Sequence, residues 1–290
     1  MGCAWDVHAL CILDFQPKTL PAMTGKLLVL TDLHLTDPGQ TIIGLDPAAR
    51  SRAALSHAIR THPDADALLL LGDLTHHGRP GQYSGLAALL SDIPCPVFAT
   101  LGNHDDATAF GAEFPDQMTD GFACHALQNG GMRVLLLDTL DRDGSAPRHG
   151  GWLCNQRLDW LDGEMAAADG APLLIACHHP PFATGFAGMD GIGLANPRAL
   201  LDRLQAYRGP VQLLCGHVHR TISGAVEGIA FTTLKSPCHQ MPMALSAKTT
   251  ALSVDEPGAY GIALTGPTGA VIHSEDFAVA MAGSHDPDSA

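Results

Sequence analysis

The sequence predicts an α/β fold in which two mixed β-sheets pack together and helices cover both outer faces, a four-layer αββα sandwich. Three observations predict it. From Lys26 to Cys215, short apolar runs alternate with helix-periodic segments, the rhythm of strand–helix–strand units. After His219 the rhythm changes to strand-like segments with glycine turns, which supplies antiparallel partners. No repeat, low-complexity tract or linker cuts the chain, so residues 23–290 are expected to form one domain.

Residues 1–22 stand apart from this pattern. Their apolar stretch, Ala9–Leu13, is flanked by Asp6 and Asp14, has no basic segment before it and is too short to span a bilayer. They read as a weakly ordered extension, or as the product of a start codon ahead of Met23. Lys26–Thr31 then reads as a buried strand, and Pro47–His62 as a helix with proline in its first turn. Ala67–Leu71 is a second strand, Gln82–Leu90 a helix and Pro96–Leu101 a third strand. Strands at Phe122–Leu127 and Met132–Leu137 are divided by Asn129-Gly130-Gly131, a hairpin signal. Trp152–Ala168 is helix-periodic, with Leu153, Leu158, Trp160 and Leu161 for an inner face. The strand Leu173–Cys177, the helix Pro197–Tyr207 and the strand Val211–Cys215 follow, with later turns expected at Gly224, Gly228 and Gly266–Gly269.

Composition narrows the function classes. With 46% hydrophobic and 16% charged residues over 290 positions, the chain is globular. A net charge of -14 argues against a protein that coats nucleic-acid polymers, because the phosphates would need a basic face. It does not argue against a small phosphate ester, since metal cations can reverse the potential inside one pocket. The eight cysteines are scattered, without a CxxC pair, and Cys177 and Cys215 lie inside apolar runs. They read as small core residues of a cytoplasmic protein. No segment reaches the apolar length of a membrane span.

Five predicted strands end in polar bursts. These are Asp32-Leu33-His34, Gly72-Asp73, Gly102-Asn103-His104-Asp105, His178-His179-Pro180-Pro181 and Gly216-His217-Val218-His219. Strands of an α/β fold deliver their following loops to one edge, where such proteins place their sites. So many imidazoles and carboxylates in one place are costly unless cations compensate them. The mixture of carboxylate oxygen and imidazole nitrogen suits Zn, Mn, Fe or Co rather than Ca or Mg. Asp73, with two oxygens, is able to bridge a metal pair, and Asn103 offers a neutral oxygen that limits negative charge.

The ordered series DLH, GD, GNHD, HHPP and GHVH, from Asp32 to His219, resembles the calcineurin-like metallophosphoesterase superfamily. Gly78-Arg79-Pro80, the GNHDD run and His179-Pro180-Pro181-Phe182 look closest to its class III cyclic-nucleotide and glycerophosphodiester phosphodiesterases. The resemblance implies two divalent transition-metal ions per chain. Asp32, His34 and His219 would hold the first, Asn103, His178 and His217 the second, and Asp73 would bridge them. A hydroxide between the ions would attack phosphorus in line, with His104 beside the leaving group and Asp105 orienting the His104 ring.

Departures narrow the subfamily. Serine/threonine phosphatases of this superfamily carry Asp-Arg-Gly after GD and a Glu after Asn-His, whereas this chain has Leu74-Thr75-His76-His77-Gly78 and His104-Asp105. DNA-repair nucleases share the metal motifs but do not suit this acidic balance. The leading expectation is a phosphodiesterase for small phosphodiesters such as 3′,5′-cAMP. A glycerophosphodiesterase or broad phosphoesterase comes second, and a non-catalytic scaffold, like the superfamily's retromer subunit, comes last because every ligand position here is filled. Neither a nucleic-acid polymer nor a membrane is an expected partner, and self-association is left open. His76 and His77 read as pocket-lining or ordinary loop histidines, His179 as pointing outward beside Pro180, and His57, His62 and His285 as solvated. Cys238, His239 and Met241 belong to a Pro-bounded loop able to cover the pocket, with His239 read either as substrate-facing or as an ordinary loop residue, and Asp141-Arg142-Asp143 reads as a polar turn.

Overall fold

A computed structural model describes residues 22–278. The extension 1–22 thus lies outside the described residues but for Ala22, and so does His285. Eleven strands form two sheets. The first has the order β11(Gly269–Asp276), β10(Ala259–Gly266), β1(Gly25–Leu30), β2(Ala67–Leu71), β3(Val97–Thr100). The second runs β4(His125–Asn129), β5(Met132–Leu137), β6(Leu173–Cys177), β7(Val211–Cys215), β9(Ile229–Thr233), β8(Ile222–Val226). Parallel pairing joins β1 to β2 and β2 to β3, while β10 is antiparallel to β1. Likewise β5, β6, β7 and β9 pair in parallel, with β4 and β8 antiparallel at the two edges.

The layers follow from alternation along each strand. In β1, Leu28 and Leu30 face α1(Pro47–Thr61), α2(Pro80–Leu90) and α3(Ala107–Glu113), joining Ala54, Leu86 and Phe110 in one core. Leu27 and Val29 face the other way and meet Val134, Leu136, Leu174 and Leu214 of the second sheet. That sheet's opposite face, with Leu135, Leu137, Ile175 and Leu213, is covered by Leu158 and Leu161 of α4(Asn155–Ala168) and by Leu200 and Leu204 of α6(Pro197–Ala206). The order is helix, sheet, sheet, helix. Strands buried on both faces explain the continuous apolar runs.

Beyond shifts of one or two residues at element ends, three features differ from the sequence reading. α4 begins at Asn155 rather than Trp152, because Trp152 N–H donates to Thr139 O and Gly151 bridges to Leu140 and Leu194. Phe122 belongs to a tight turn closed on Thr119, and β4 starts only at His125. Gly224 lies inside β8, the turn being Glu227-Gly228. The hairpin at Gly130-Gly131 joins β4 to β5 as expected, with φ of 58° and 90°. The short α3 and α5(Ala187–Asp190) have no counterpart in the sequence reading, since neither is long enough to show helical periodicity.

Candidate metal centre

The central parallel strands β1, β2 and β3 of one sheet and β6 and β7 of the other end at the same edge. Each of the five motifs leaves one of these ends. Asp32, His34, Asp73, His217 and His219 all have left-handed backbone, with φ of 56°, 47°, 48°, 72° and 52°. Such φ values are costly outside glycine and collect where function demands them. Here they turn the chain sharply after each strand and aim its side chain back over the sheet edge. The approach is tight. A Cβ on Gly102 would stand 2.3 Å from Asp73 Oδ1 and 2.8 Å from His178 Cε1. Gly72, at φ +83°, would place one 2.7 Å from Gly102 N.

Two cages result, their residues buried except for Asn103 and His219, which are half-buried. In the first, Asp32, His34, Asp73 and His219 bring one potential ligand atom each within 4.8 Å of the others. His34 Nε2 lies 3.1 Å from His219 Nε2 and 3.5 Å from Asp73 Oδ2, and His219 Nε2 lies 3.2 Å from Asp32 Oδ1. In the second, His178 Nε2 stands 3.3 Å from Asn103 Oδ1, 3.2 Å from His217 Nδ1 and 3.4 Å from Asp73 Oδ2. The same oxygen of Asp73 therefore faces both cages. Its other oxygen accepts the N–H of His104 at 2.8 Å.

The chemistry of the donor atoms fits cations. His219 Nδ1–H donates to His239 O (2.9 Å) and His178 Nδ1–H to Leu71 O (2.8 Å). In the neutral rings Nε2 is then a bare lone pair, and in both residues it faces a buried carboxylate oxygen. Lone pair against carboxylate is repulsive unless positive charge stands between them. The electrostatics point the same way. Burial disfavours a charged His178, yet Asp73, Asp32 and the Leu71 carbonyl outweigh it and push the ring up to about 10. His219 is raised against its burial by Asp32. Asp73 and Asp32 are held below the usual carboxylate range by these imidazoles, despite burial. Burial holds His34 well below its usual value and brings His217 down to about 3. His217 Nε2 is buried without a partner.

The cages open into a cavity of about 290 Å³. Beyond the cages its lining includes His76, His104 and His149, and an apolar cluster of Met189, Ile192, Met241 and Leu252. Among the described residues no lysine or arginine lines it.

All seven expected ligands and His104 meet at this place. Asp105 does not take the expected role. Its carboxylate accepts from the N–H groups of Leu74, Thr75 and Gly102 and from the hydroxyls of Thr75 and Tyr83, at 3.0–3.2 Å. It ties the loop after β2 to the loop after β3, and burial followed by the charge of Asp73 raises it to about 6. The ring of His104 is oriented instead by the carbonyl of His76, which accepts its Nδ1–H at 2.9 Å. His179 does not point outward. It is buried, with Nδ1 2.8 Å from the Thr139 hydroxyl. His57 is not simply solvated either, since its Nδ1 lies 3.1 Å from Tyr260 Oη. His239 and Met241 do line the cavity, whereas His77 and Cys238 are not among its lining residues. The sequence reading missed His149, whose Nδ1 lies 3.2 Å from Asn103 Nδ2 and whose ring stacks on His104 at 5.3 Å. It sits in an irregular loop with no motif around it.

Comparison with known proteins agrees with this geometry. Residues 25–221 match the family model for calcineurin-like phosphoesterases. A probable cyclic nucleotide phosphodiesterase of Rhodopseudomonas palustris is 38% identical over 255 residues, covering 87% of this chain and 92% of that protein. A 3′,5′-cyclic adenosine monophosphate phosphodiesterase of Pseudomonas aeruginosa is 32% identical over 228 residues, 76% of this chain and 79% of that one. A glycerophosphodiester phosphodiesterase of Enterobacter lignolyticus is 26% identical over 225 residues, covering 73% and 77%. Among solved structures, a dimetal phosphatase from Danio rerio superposes with a TM-score of 0.67 at 16% identity, covering 89% of this chain and 97% of that one, a likeness of fold.

Proposed function

This chain belongs to the calcineurin-like phosphoesterase family, and from that premise we propose that it is a dimetal phosphodiesterase acting on small phosphodiesters, cyclic nucleotides such as 3′,5′-cAMP first among them. Members of the family hold two divalent metal ions. We assign the first to Asp32, His34 and His219, the second to Asn103, His178 and His217, and the bridge to Asp73. The single observation that carries the assignment is the Asp73 oxygen shared by the two cages in a pocket that no described lysine or arginine lines. Positive charge for a phosphate must come from elsewhere, and the mixed oxygen and nitrogen donors favour Fe, Mn, Zn or Co. When bound, such ions supply Lewis acidity, an activated water and compensation for charge developing on the phosphoryl oxygens.

The chain's own residues do the rest. His104 has Nδ1 committed to the His76 carbonyl, so Nε2 is left to contact the phosphate or to hold the proton that a departing alkoxide requires. Met189, Ile192, Met241 and Leu252, clustered in the same cavity as the histidines, offer a flat apolar partner a surface. That wall supports a nucleotide over a glycerol ester, whose second arm has little apolar area to bury. A glycerophosphodiester is the second reading, favoured by the 26% identical relative. We place the protein in the cytoplasm, on the scattered pattern of its cysteines, and treat residues 23–290 as one catalytic domain. Among the described residues no helix is long and apolar enough to cross a membrane.

A turnover screen of metal-reconstituted protein tests the proposal. It compares 3′,5′-cAMP, 2′,3′-cAMP, glycerophosphoethanolamine, bis-p-nitrophenyl phosphate and p-nitrophenyl phosphate. Diesters are expected to be preferred, with 3′,5′-cAMP showing the highest kcat/KM of the natural esters. A higher kcat/KM on p-nitrophenyl phosphate than on its bis-ester would remove the phosphodiesterase assignment.

A further inference from the structure

His76 lies outside the two cages described above but beside one of their residues, His34. The pairing of β1 with β2 continues past the strand ends, through His34 N–H to Asp73 O (2.8 Å), Leu35 N–H to Leu74 O (3.1 Å) and His76 N–H to Leu35 O (2.9 Å). This register sets the His76 ring beside that of His34, with Nδ1 to Nδ1 at 3.2 Å. At so short a separation one nitrogen must carry a proton and the other must not. The far side of the His34 ring decides which. Nε2 of His34 faces the Asp73 carboxylate and the Nε2 of His219, so it is the atom turned to the cage, and the neutral ring keeps its proton on Nδ1. His76 must then offer a bare Nδ1.

We propose that His76 is a positioning residue whose Nδ1 accepts the Nδ1–H of His34, fixing the tautomer and tilt that direct His34 Nε2 into the first metal cage. The proposal rests on the metal-centre assignment above. It gives His34 the partner that a carbonyl supplies to His178 and to His219. The His76 ring is itself held, stacked on His104 at 5.1 Å and 16° and lying 4.6 Å from His77. One residue thereby serves both halves of the site, its ring orienting His34 and its carbonyl orienting His104.

Two substitutions separate acceptor from ring. In His76→Asn the amide oxygen stands where Nδ1 stood, so an acceptor remains and the stacking ring is lost. In His76→Phe the ring remains and the acceptor is lost. Equilibrium dialysis against limiting Mn(II), with the bound metal counted by elemental analysis, is the readout. Removing a hydrogen-bond partner of a ligand typically costs about 10–100-fold in metal affinity. His76→Phe is therefore expected to lose that much at one of two ions, while His76→Asn stays close to the parent. Parent-like affinity in His76→Phe, or an equal loss in both variants, overturns the proposal. So does unchanged metal affinity with a raised KM, which would make His76 a substrate contact. If the parent protein itself binds no metal, the metal-centre assignment fails instead. The pairing is also decided without substitution, by long-range proton–nitrogen NMR of the Zn-loaded parent. It should show His76 protonated on Nε2 alone, and a proton on His76 Nδ1 would refute the pairing.

Discussion

At the scale of single residues, the site divides, on the assignment proposed above, into atoms that would hold cations and atoms that would touch the ester. His104 belongs to the second group, because its Nδ1 is tied to the His76 carbonyl and its backbone N–H to Asp73. His104→Ala should retain both metals and lose about 10²–10⁴-fold in rate, the usual scale for a general acid. The loss should be severe on cAMP, whose ribose 3′-oxygen leaves poorly without a proton, and slight on bis-p-nitrophenyl phosphate. Steady-state kinetics on the two esters check this, and an equal loss on both would make His104 a phosphate-positioning residue. Asp73 and Asn103 offer a second contrast. One oxygen of Asp73 faces both cages, whereas Asn103 adds one neutral oxygen to one of them. Asp73→Ala should abolish turnover, and Asn103→Ala should chiefly weaken one ion, with partial rescue by excess Mn. Titrating Mn into each variant measures the difference; equal loss without rescue would contradict the shared-oxygen assignment.

At the scale of elements, the design is a set of parallel strands that stop abruptly. The proposed ligands could be picked out in the sequence because each follows an apolar run whose end is marked by polar residues, as Leu68–Leu71 is by Gly72-Asp73. What was not legible depends on contacts between loops distant in the chain. Nothing local to Asp105 says that its partners are Leu74, Thr75 and Tyr83, so adjacency to His104 suggested a role that the geometry gives to His76. His149 was hidden for the same reason. The glycines before the ligands are part of the site, since Gly102 leaves room for both Asp73 and His178. Gly102→Ala should fold but disturb the shared carboxylate, lowering metal occupancy and turnover together by at least about tenfold, on the scale of damage to a ligand's supporting contacts. Dialysis and circular dichroism in parallel would show it, and full occupancy with normal activity would disprove the close-packing account.

At the scale of the molecule, the four layers were readable from rhythm alone, because strands buried on both faces and helices buried on one leave different periodicities. The arrangement of the sheets was not, since β10 reaches β1 from the far end of the chain. The proposed metal centre links the two sheets, drawing Asp32, His34, Asp73 and Asn103 from one and His178, His217 and His219 from the other. Ions bound there favour the folded state by mass action, about 2.7 kcal/mol for each site at a hundred times its Kd. Stripping the protein with a strong chelator should lower Tm and abolish turnover, and Mn or Zn should restore both. Differential scanning calorimetry decides the matter, and an unchanged Tm with full activity would exclude a dimetal enzyme.

Because each proposed cage spans both sheets, neither is complete on a chain synthesised only through the first sheet's β1, β2 and β3. While the ribosome has released only the first sheet's β1, β2 and β3, the Asp73 carboxylate is present, but His219 and His217, which complete the two cages, are still to be translated. On the proposed ligand set, a complete site waits until β6 and β7 have been made and the second sheet has packed against the first.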